Sequence, residues 1–304
     1  MPVTTARDQQ PIHYRMIGRG RPVLMLHGVG MDSRHWLPFI MPLAHRFTFV
    51  MPDFRGAGKS AAVPINQPDL FQNLAEDIQD LMIHLDLSSL QLVGYSLGAS
   101  IALHLQQEGE FDRVKSYLHI DQSPCIQNRP DWTDGLLGPD QPQFLATLQS
   151  LYYHLAQYPE INVLAQLPPA EQKSVAQLMG EILGVAAGNA AVVWLLRQLG
   201  RYPRLFASVV GDISVHNLCA YLSAYFANTH DYRASLLANK TPMTMFIGRL
   251  SPLYLASGQE QFAARVPHCQ VKVFERSGHL PQADEPWRFG RELSRFLAKH
   301  ADAR

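Results

Sequence analysis

Cysteine is scarce: Cys125, Cys219 and Cys269 are the only three in 304 residues, far apart and odd in number. They form neither a disulfide framework nor a zinc-ligand pattern, and they fit a reducing compartment. An excess of one charge is also missing, because 26 Lys and Arg face 26 Asp and Glu without a basic stripe. That balance argues against electrostatic capture of nucleic acid or of an anionic membrane. No stretch approaches the roughly 18 apolar residues that span a bilayer, so no stable membrane insertion is expected. The polar opening MPVTTARDQQ lacks the apolar segment of a signal peptide. Internal repeats, low-complexity tracts and charge blocks do not occur. What is present is 47% apolar residues, enough for a globular, cytoplasmic protein with a core that can hold a buried site.

The apolar residues fall in two rhythms. Short runs rich in Val, Ile, Leu and Phe predict strands over Ile12–Ile17, Pro22–Leu26, Phe47–Met51, Leu90–Gly94, Lys115–Ile120, Met243–Ile247 and Gln270–Phe274. Helical spacing appears over Asn73–Leu85, Leu97–Gln107 and, after Glu285-Pro286, Trp287–His300. The alternation breaks between about Pro124 and Asn239, where only helices are predicted: Phe144–Gln157, Ala170–Leu183, Ala190–Leu199 and Val215–Phe226. An all-helical insertion between two late strands of a mostly parallel sheet is most simply a lid over the strands' carboxyl ends. The expected division is an α/β core, residues 1–123 and 241–304, with a helical cap over 124–240.

Chemistry concentrates at strand ends. Gly94-Tyr95-Ser96-Leu97-Gly98 follows the apolar Leu90–Val93 and opens straight into a helix. Chance alone gives roughly 0.08 such G-x-S-x-G patterns in this composition, so the strand–turn–helix context is what makes it a nucleophile elbow. Two glycines let strand and helix pass closely while the serine hydroxyl stands at the tip. A serine that merely caps a helix is the bland alternative. His27-Gly28-Val29-Gly30, after Pro22–Leu26, offers backbone N–H groups to the same place, so the N–H groups of Val29 and Leu97 are read as an oxyanion hole. His27 itself is read as shaping that loop. Among 13 histidines, His279 stands out by position, in the glycine-containing loop between Gln270–Phe274 and the last helix. A serine nucleophile needs such a base.

These segments, with Pro52-Asp53-Phe54-Arg55-Gly56-Ala57-Gly58-Lys59-Ser60 and Ser277-Gly278-His279, resemble the α/β-hydrolase fold superfamily, esterase- and lipase-like members with a helical cap. The resemblance covers the whole core and implies a Ser–His–acid triad under a lid. It also implies that Asp53 and Arg55 shape a turn rather than a site. One departure follows. The family's usual acid lies a few residues past the strand Met243–Ile247, and Gly248-Arg249-Leu250-Ser251-Pro252-Leu253-Tyr254 contains no carboxylate. Ser251 stands near that position, where it could accept the imidazole N–H but not offset its charge. Some relatives, haloalkane dehalogenases and epoxide hydrolases among them, take the acid from the preceding strand, which here implies Asp121. Ser251→Ala is then expected to matter little.

The resulting expectation is a serine hydrolase acting through Ser96, His279 and Asp121 on a carboxylic ester, lactone or thioester of a small hydrophobic molecule. No metal or organic cofactor is expected, and a homodimer is left open. A cofactorless acyltransferase, a carbon–carbon-bond hydrolase and a non-catalytic receptor would use the same residues. Trp132, Phe144, Leu148, Tyr152, Trp194, Leu195, Tyr221 and Tyr225 enrich the cap in apolar surface, most of it expected to pack internally.

Overall fold

The computed structural model describes residues 1–187, 202, 212–227 and 229–299. Among the described residues eight strands form one sheet: β1 (Val3–Thr5), β2 (Pro11–Gly18), β3 (Arg21–Leu26), β4 (Phe47–Pro52), β5 (Leu90–Tyr95), β6 (Val114–Ile120), β7 (Met243–Gly248) and β8 (Cys269–Phe274). Their order is β1-β2-β4-β3-β5-β6-β7-β8. Only the β1–β2 and β2–β4 pairs are antiparallel; from β4 to β8 every pair is parallel. The longer helices are α1 (Leu70–His84), α2 (Leu97–Gln107), α3 (Gln141–Leu155), α4 (Pro169–Ala187), α5 (Val215–Phe226), α6 (Ala256–Ala263) and α7 (Pro286–Lys299).

The central strands are apolar without interruption because both faces are covered. Leu24 and Leu26 of β3 and Leu90 and Leu92 of β5 point to the side of α1, α2 and α6. Their neighbours Val23, Met25 and Val93 point to the other side, against Trp36, Ile40 and the α7 stripe of Phe289, Leu293, Phe296 and Leu297. The period of two thus divides each strand between two cores. A third cluster, with Leu148, Leu151, Leu155, Val175 and Leu222, joins α3, α4 and α5 with Leu164 and Leu167 of the link between α3 and α4. Those helices lie between β6 and β7 in the chain and add no strand to the sheet among the described residues.

Two elements differ from the sequence reading. β1 is three residues long with only Thr4 buried, too short and polar to show a period. α6 carries Gly258 and few large apolar residues, so no stripe announces it. The helix expected over Ala190–Leu199, with Trp194 and Leu195, falls outside the described residues.

Candidate active site

β5 ends at Tyr95, and Ser96 takes a backbone φ of +51° before α2 begins at Leu97. A side-chain-bearing residue rarely adopts this conformation, and it persists here because its surroundings leave no alternative. A Cβ at Gly94 would lie 2.7 Å from the Cα of Ala99, and one at Gly98 would overlap the carbonyl oxygens of Leu26 and His27. Both glycines are therefore contact sites between strand and helix. The turn aims Oγ of Ser96 at the loop after β8. There it donates to Nε2 of His279 at 2.9 Å. The other ring nitrogen donates to Oδ2 of Asp121 at 2.7 Å, which fixes the imidazole tautomer needed for Nε2 to accept.

Asp121 follows β6 with φ +45° and is completely buried. Its backbone N–H donates to the Phe246 carbonyl at 2.9 Å, tying it to β7. The carboxylate also receives the N–H of Gly248 on Oδ1 at 2.9 Å and the hydroxyl of Ser251 on Oδ2 at 2.6 Å. The Gln259 amide reaches Oδ1 from α6 at 3.1 Å. Ser251 thus does not accept from the imidazole; it donates to the carboxylate that does.

The His279 loop is held from several sides. Gly278 N–H donates to Asp284 at 2.8 Å, and Glu285 accepts from Arg276 N–H and the Ser277 hydroxyl at 2.9 and 3.1 Å. The Tyr95 hydroxyl donates to the His279 carbonyl at 3.0 Å, with its ring 5.2 Å from the imidazole. Burial pushes the phenols of Tyr95 and Tyr254 well above their ordinary range, so both remain neutral. Tyr95 also fills the space a Gly28 side chain would need: a Cβ there would stand 2.7 Å from the Tyr95 ring and 3.2 Å from Ser96 Cβ. The loop carrying Val29, half exposed at 49%, consequently packs on the elbow. Leu97, as the first residue of α2, has an N–H without an intrahelical partner by geometry.

Other motif residues serve the scaffold. Nδ1 of His27 donates to the Gly28 carbonyl at 2.8 Å, and Nε2 accepts from Phe54 N–H at 3.0 Å, which occupies both nitrogens. Burial lowers its pKa, in keeping with a neutral ring. Asp53 accepts from Ser33 and Lys59 N–H, each at 2.8 Å. Arg55 is buried in a double ion pair with Asp8 and Asp77. Cys125 is buried, and its thiol is pushed up by desolvation. Among the described residues no group of three or more His, Cys, Asp or Glu is arranged to hold a metal ion. No helix among them is long and apolar enough to cross a membrane.

Beneath Asp121 lies His119. Its Nδ1 accepts from the Tyr117 hydroxyl and its Nε2–H donates to the Gln122 carbonyl, both at 2.8 Å. Burial pushes this imidazole down to about 4, against about 6.5 for an exposed one. The unfolded chain therefore takes up the proton first as pH falls. The stability from this site is complete above about pH 6.5 and drains away between about 6.5 and 4. Between pH 8 and pH 5, urea unfolding should show the wild type losing about 2 kcal/mol more than His119→Asn. Equal losses would show that protonation of this ring is not linked to unfolding.

Ser96 and His279 open onto a cavity of about 490 Å³ between the sheet's carboxyl edge and α3, α4 and α5. Phe144, Leu148, Leu151, Met179, Ile182, Leu218 and Leu222 line it, with Tyr221 and Tyr225. Lining and packing are not alternatives here: Leu148 is buried in the cluster of α3, α4 and α5 even as it borders the cavity, and Phe144 and Tyr225 pack against that cluster. Phe144, Leu148, Tyr221 and Tyr225 all face the cavity, whereas Trp132 packs on Phe262 and Tyr152 on Phe226. The α4 residues of the lining were not picked out in the sequence, because a helix facing a cavity and one facing a core show the same stripe.

A family model described as alpha/beta hydrolase fold matches residues 21–286. The chain is similar to non-heme chloroperoxidase CPO-A1 of Kitasatospora aureofaciens, 26% identical across 98% of this chain and 100% of the relative. It is 24% identical to a pimeloyl-(acyl-carrier protein) methyl ester esterase of Cronobacter sakazakii, across 96% and 98% of the two chains. An esterase of Exiguobacterium antarcticum superposes with a TM-score of 0.72 at 22% identity, covering 97% of this chain and 98% of that one. At that identity the superposition speaks for the fold alone.

Proposed function

The chain belongs to the alpha/beta hydrolase fold family of enzymes, and from that premise we propose that it is a serine hydrolase of neutral, hydrophobic carboxylic esters, lactones or thioesters. The observation that carries this reading is the unbroken relay from Ser96 Oγ through His279 to Asp121, at 2.9 and 2.7 Å, opening on an apolar cavity. Ser96 Oγ attacks the carbonyl carbon while His279 Nε2 takes its proton. The N–H groups of Val29 and Leu97 hold the oxyanion. His279 then protonates the leaving group and afterwards activates water against the acyl-enzyme. Asp121 keeps the tautomer and stabilises the imidazolium. Helices α3, α4 and α5 act as the lid, and the acyl chain lies among Leu148, Leu151, Ile182 and Leu222. A cytoplasmic setting agrees with this role.

Two measurements test it together. An alkyl fluorophosphonate should label the protein once, at Ser96, as read by intact mass and peptide mapping. With nitrophenyl esters, kcat/KM should rise about fourfold per methylene from acetyl upward, since each buried CH₂ contributes about 0.8 kcal/mol, until the cavity is full. A folded protein that takes no label and turns over no ester in the series would end the proposal.

A further inference from the structure

We propose that Ser251 is a positioning residue for the triad acid, a role that rests on the serine-hydrolase reading above. The carboxylate of Asp121 is buried without any exposure, and among the described residues its only ion-pair partner is His279. That imidazole is neutral whenever it is ready to accept the Ser96 proton. In the resting enzyme the buried negative charge is therefore held by neutral donors alone: beside the imidazole N–H itself, Gly248 N–H and the Gln259 amide on Oδ1, and the Ser251 hydroxyl on Oδ2. A buried carboxylate without such partners is strongly unfavourable. Ser251 is the one donor among these three that shares the oxygen facing His279. At 2.6 Å it is also the shortest contact on the carboxylate.

The direction of the hydroxyl is set as well. Ser251 Oγ lies 3.4 Å from Tyr254 N–H, which donates to it, leaving the hydroxyl proton for Asp121. Ser251 itself is fixed by its N–H to the Gly248 carbonyl at 3.2 Å, so the turn after β7 presents one backbone and one side-chain donor to the same carboxylate. This accounts for a serine at the position: a second carboxylate there would press like charge against Asp121 at contact distance. Without the hydroxyl, Oδ2 keeps only the His279 Nδ1–H bond, so carboxylate and imidazole can turn together about the Oδ1 anchors and Nε2 drifts from its line to Ser96.

The test reads the reactivity of Ser96 directly and needs no knowledge of the substrate. The second-order rate of phosphonylation by an alkyl fluorophosphonate is followed by intact mass. In that step a Ser96 Oγ–P bond forms, fluoride leaves, and the hydroxyl proton passes to His279. The contact with Asp121 replaces the small effect expected of Ser251→Ala from the sequence: that change should lower this rate about tenfold, and Ser251→Thr, which keeps the hydroxyl, should recover it to within about threefold. In an Asp121→Asn background the same Ser251→Ala change should alter the rate by less than about twofold, because a residue acting through another has nothing left to position. Equal rates for wild type and Ser251→Ala, or the same factor in both backgrounds, would overturn the proposal while labelling of Ser96 in the wild type left the hydrolase reading standing. A folded wild type that takes no label at Ser96 would remove that reading and this one together.

Discussion

Ser96→Ala is expected to lower kcat for the best nitrophenyl ester by about 10⁵-fold or more while KM changes by less than about threefold. The reason is that Oγ is the atom that forms the new bond, so its loss removes the covalent route and leaves only direct attack by water. The rest of the site survives the substitution. Alanine has the same Cβ, so the strained turn at φ +51° is neither relieved nor worsened. The glycines at 94 and 98 still admit the close passage of α2 past β5 and the end of β3. The cavity and the N–H groups of Val29 and Leu97 remain to bind substrate and to polarise its carbonyl. Residual turnover about 10³-fold above the uncatalysed reaction is therefore compatible with loss of the nucleophile. Initial rates measured beside fluorophosphonate labelling separate the cases. Retention of a tenth of wild-type kcat would mean that His279 activates water directly and that Ser96 is a bystander.

How much of this was open to inspection in the sequence varies with the kind of constraint. Ser96 was legible because its elbow is local: strand, strained residue and helix are contiguous, and the two glycines are forced by contacts a few residues away or on the next strand. His279 was legible because a glycine-containing loop after the last strand must lie at the same sheet edge as β5. Asp121 could be read only as a carboxylate at the right strand end. Its three other donors were not legible, since Gly248, Ser251 and Gln259 become partners solely through the packing of β7 and α6 beside β6. The start of α1 shows the opposite case, a signal present but passed over. Asp69 caps the helix through the N–H groups of Phe71 and Gln72, which sets its first turn ahead of the apolar period that begins near Asn73. The contrast places legibility at the level of interaction range: what is fixed within one turn or one strand end shows in the residue order, and what is fixed across the sheet does not.

Asp121→Asn should lower kcat by about 10³- to 10⁴-fold with KM nearly constant. The loss follows from the donors around the carboxylate. Four groups, His279 Nδ1–H, Ser251 Oγ–H, Gly248 N–H and the Gln259 amide, all point protons at it. An asparagine can accept with its oxygen, but its NH₂ must then face donors on the other side. If the NH₂ faces His279, the imidazole adopts the tautomer with the proton on Nε2, and Ser96 loses its base. If the oxygen faces His279, the tautomer is right, but the imidazolium formed during attack has no negative charge beside it. Both arrangements act on the transition state and leave the cavity untouched, which is why kcat moves and KM does not. The fold should persist, because the variant removes a buried charge as well as its hydrogen bonds and the two effects oppose each other. Circular dichroism and thermal unfolding of the variant, recorded with its steady-state kinetics, check that premise. A folded Asp121→Asn enzyme within tenfold of wild-type kcat would refute the assignment of the acid and, with it, the account of why position 251 is a serine.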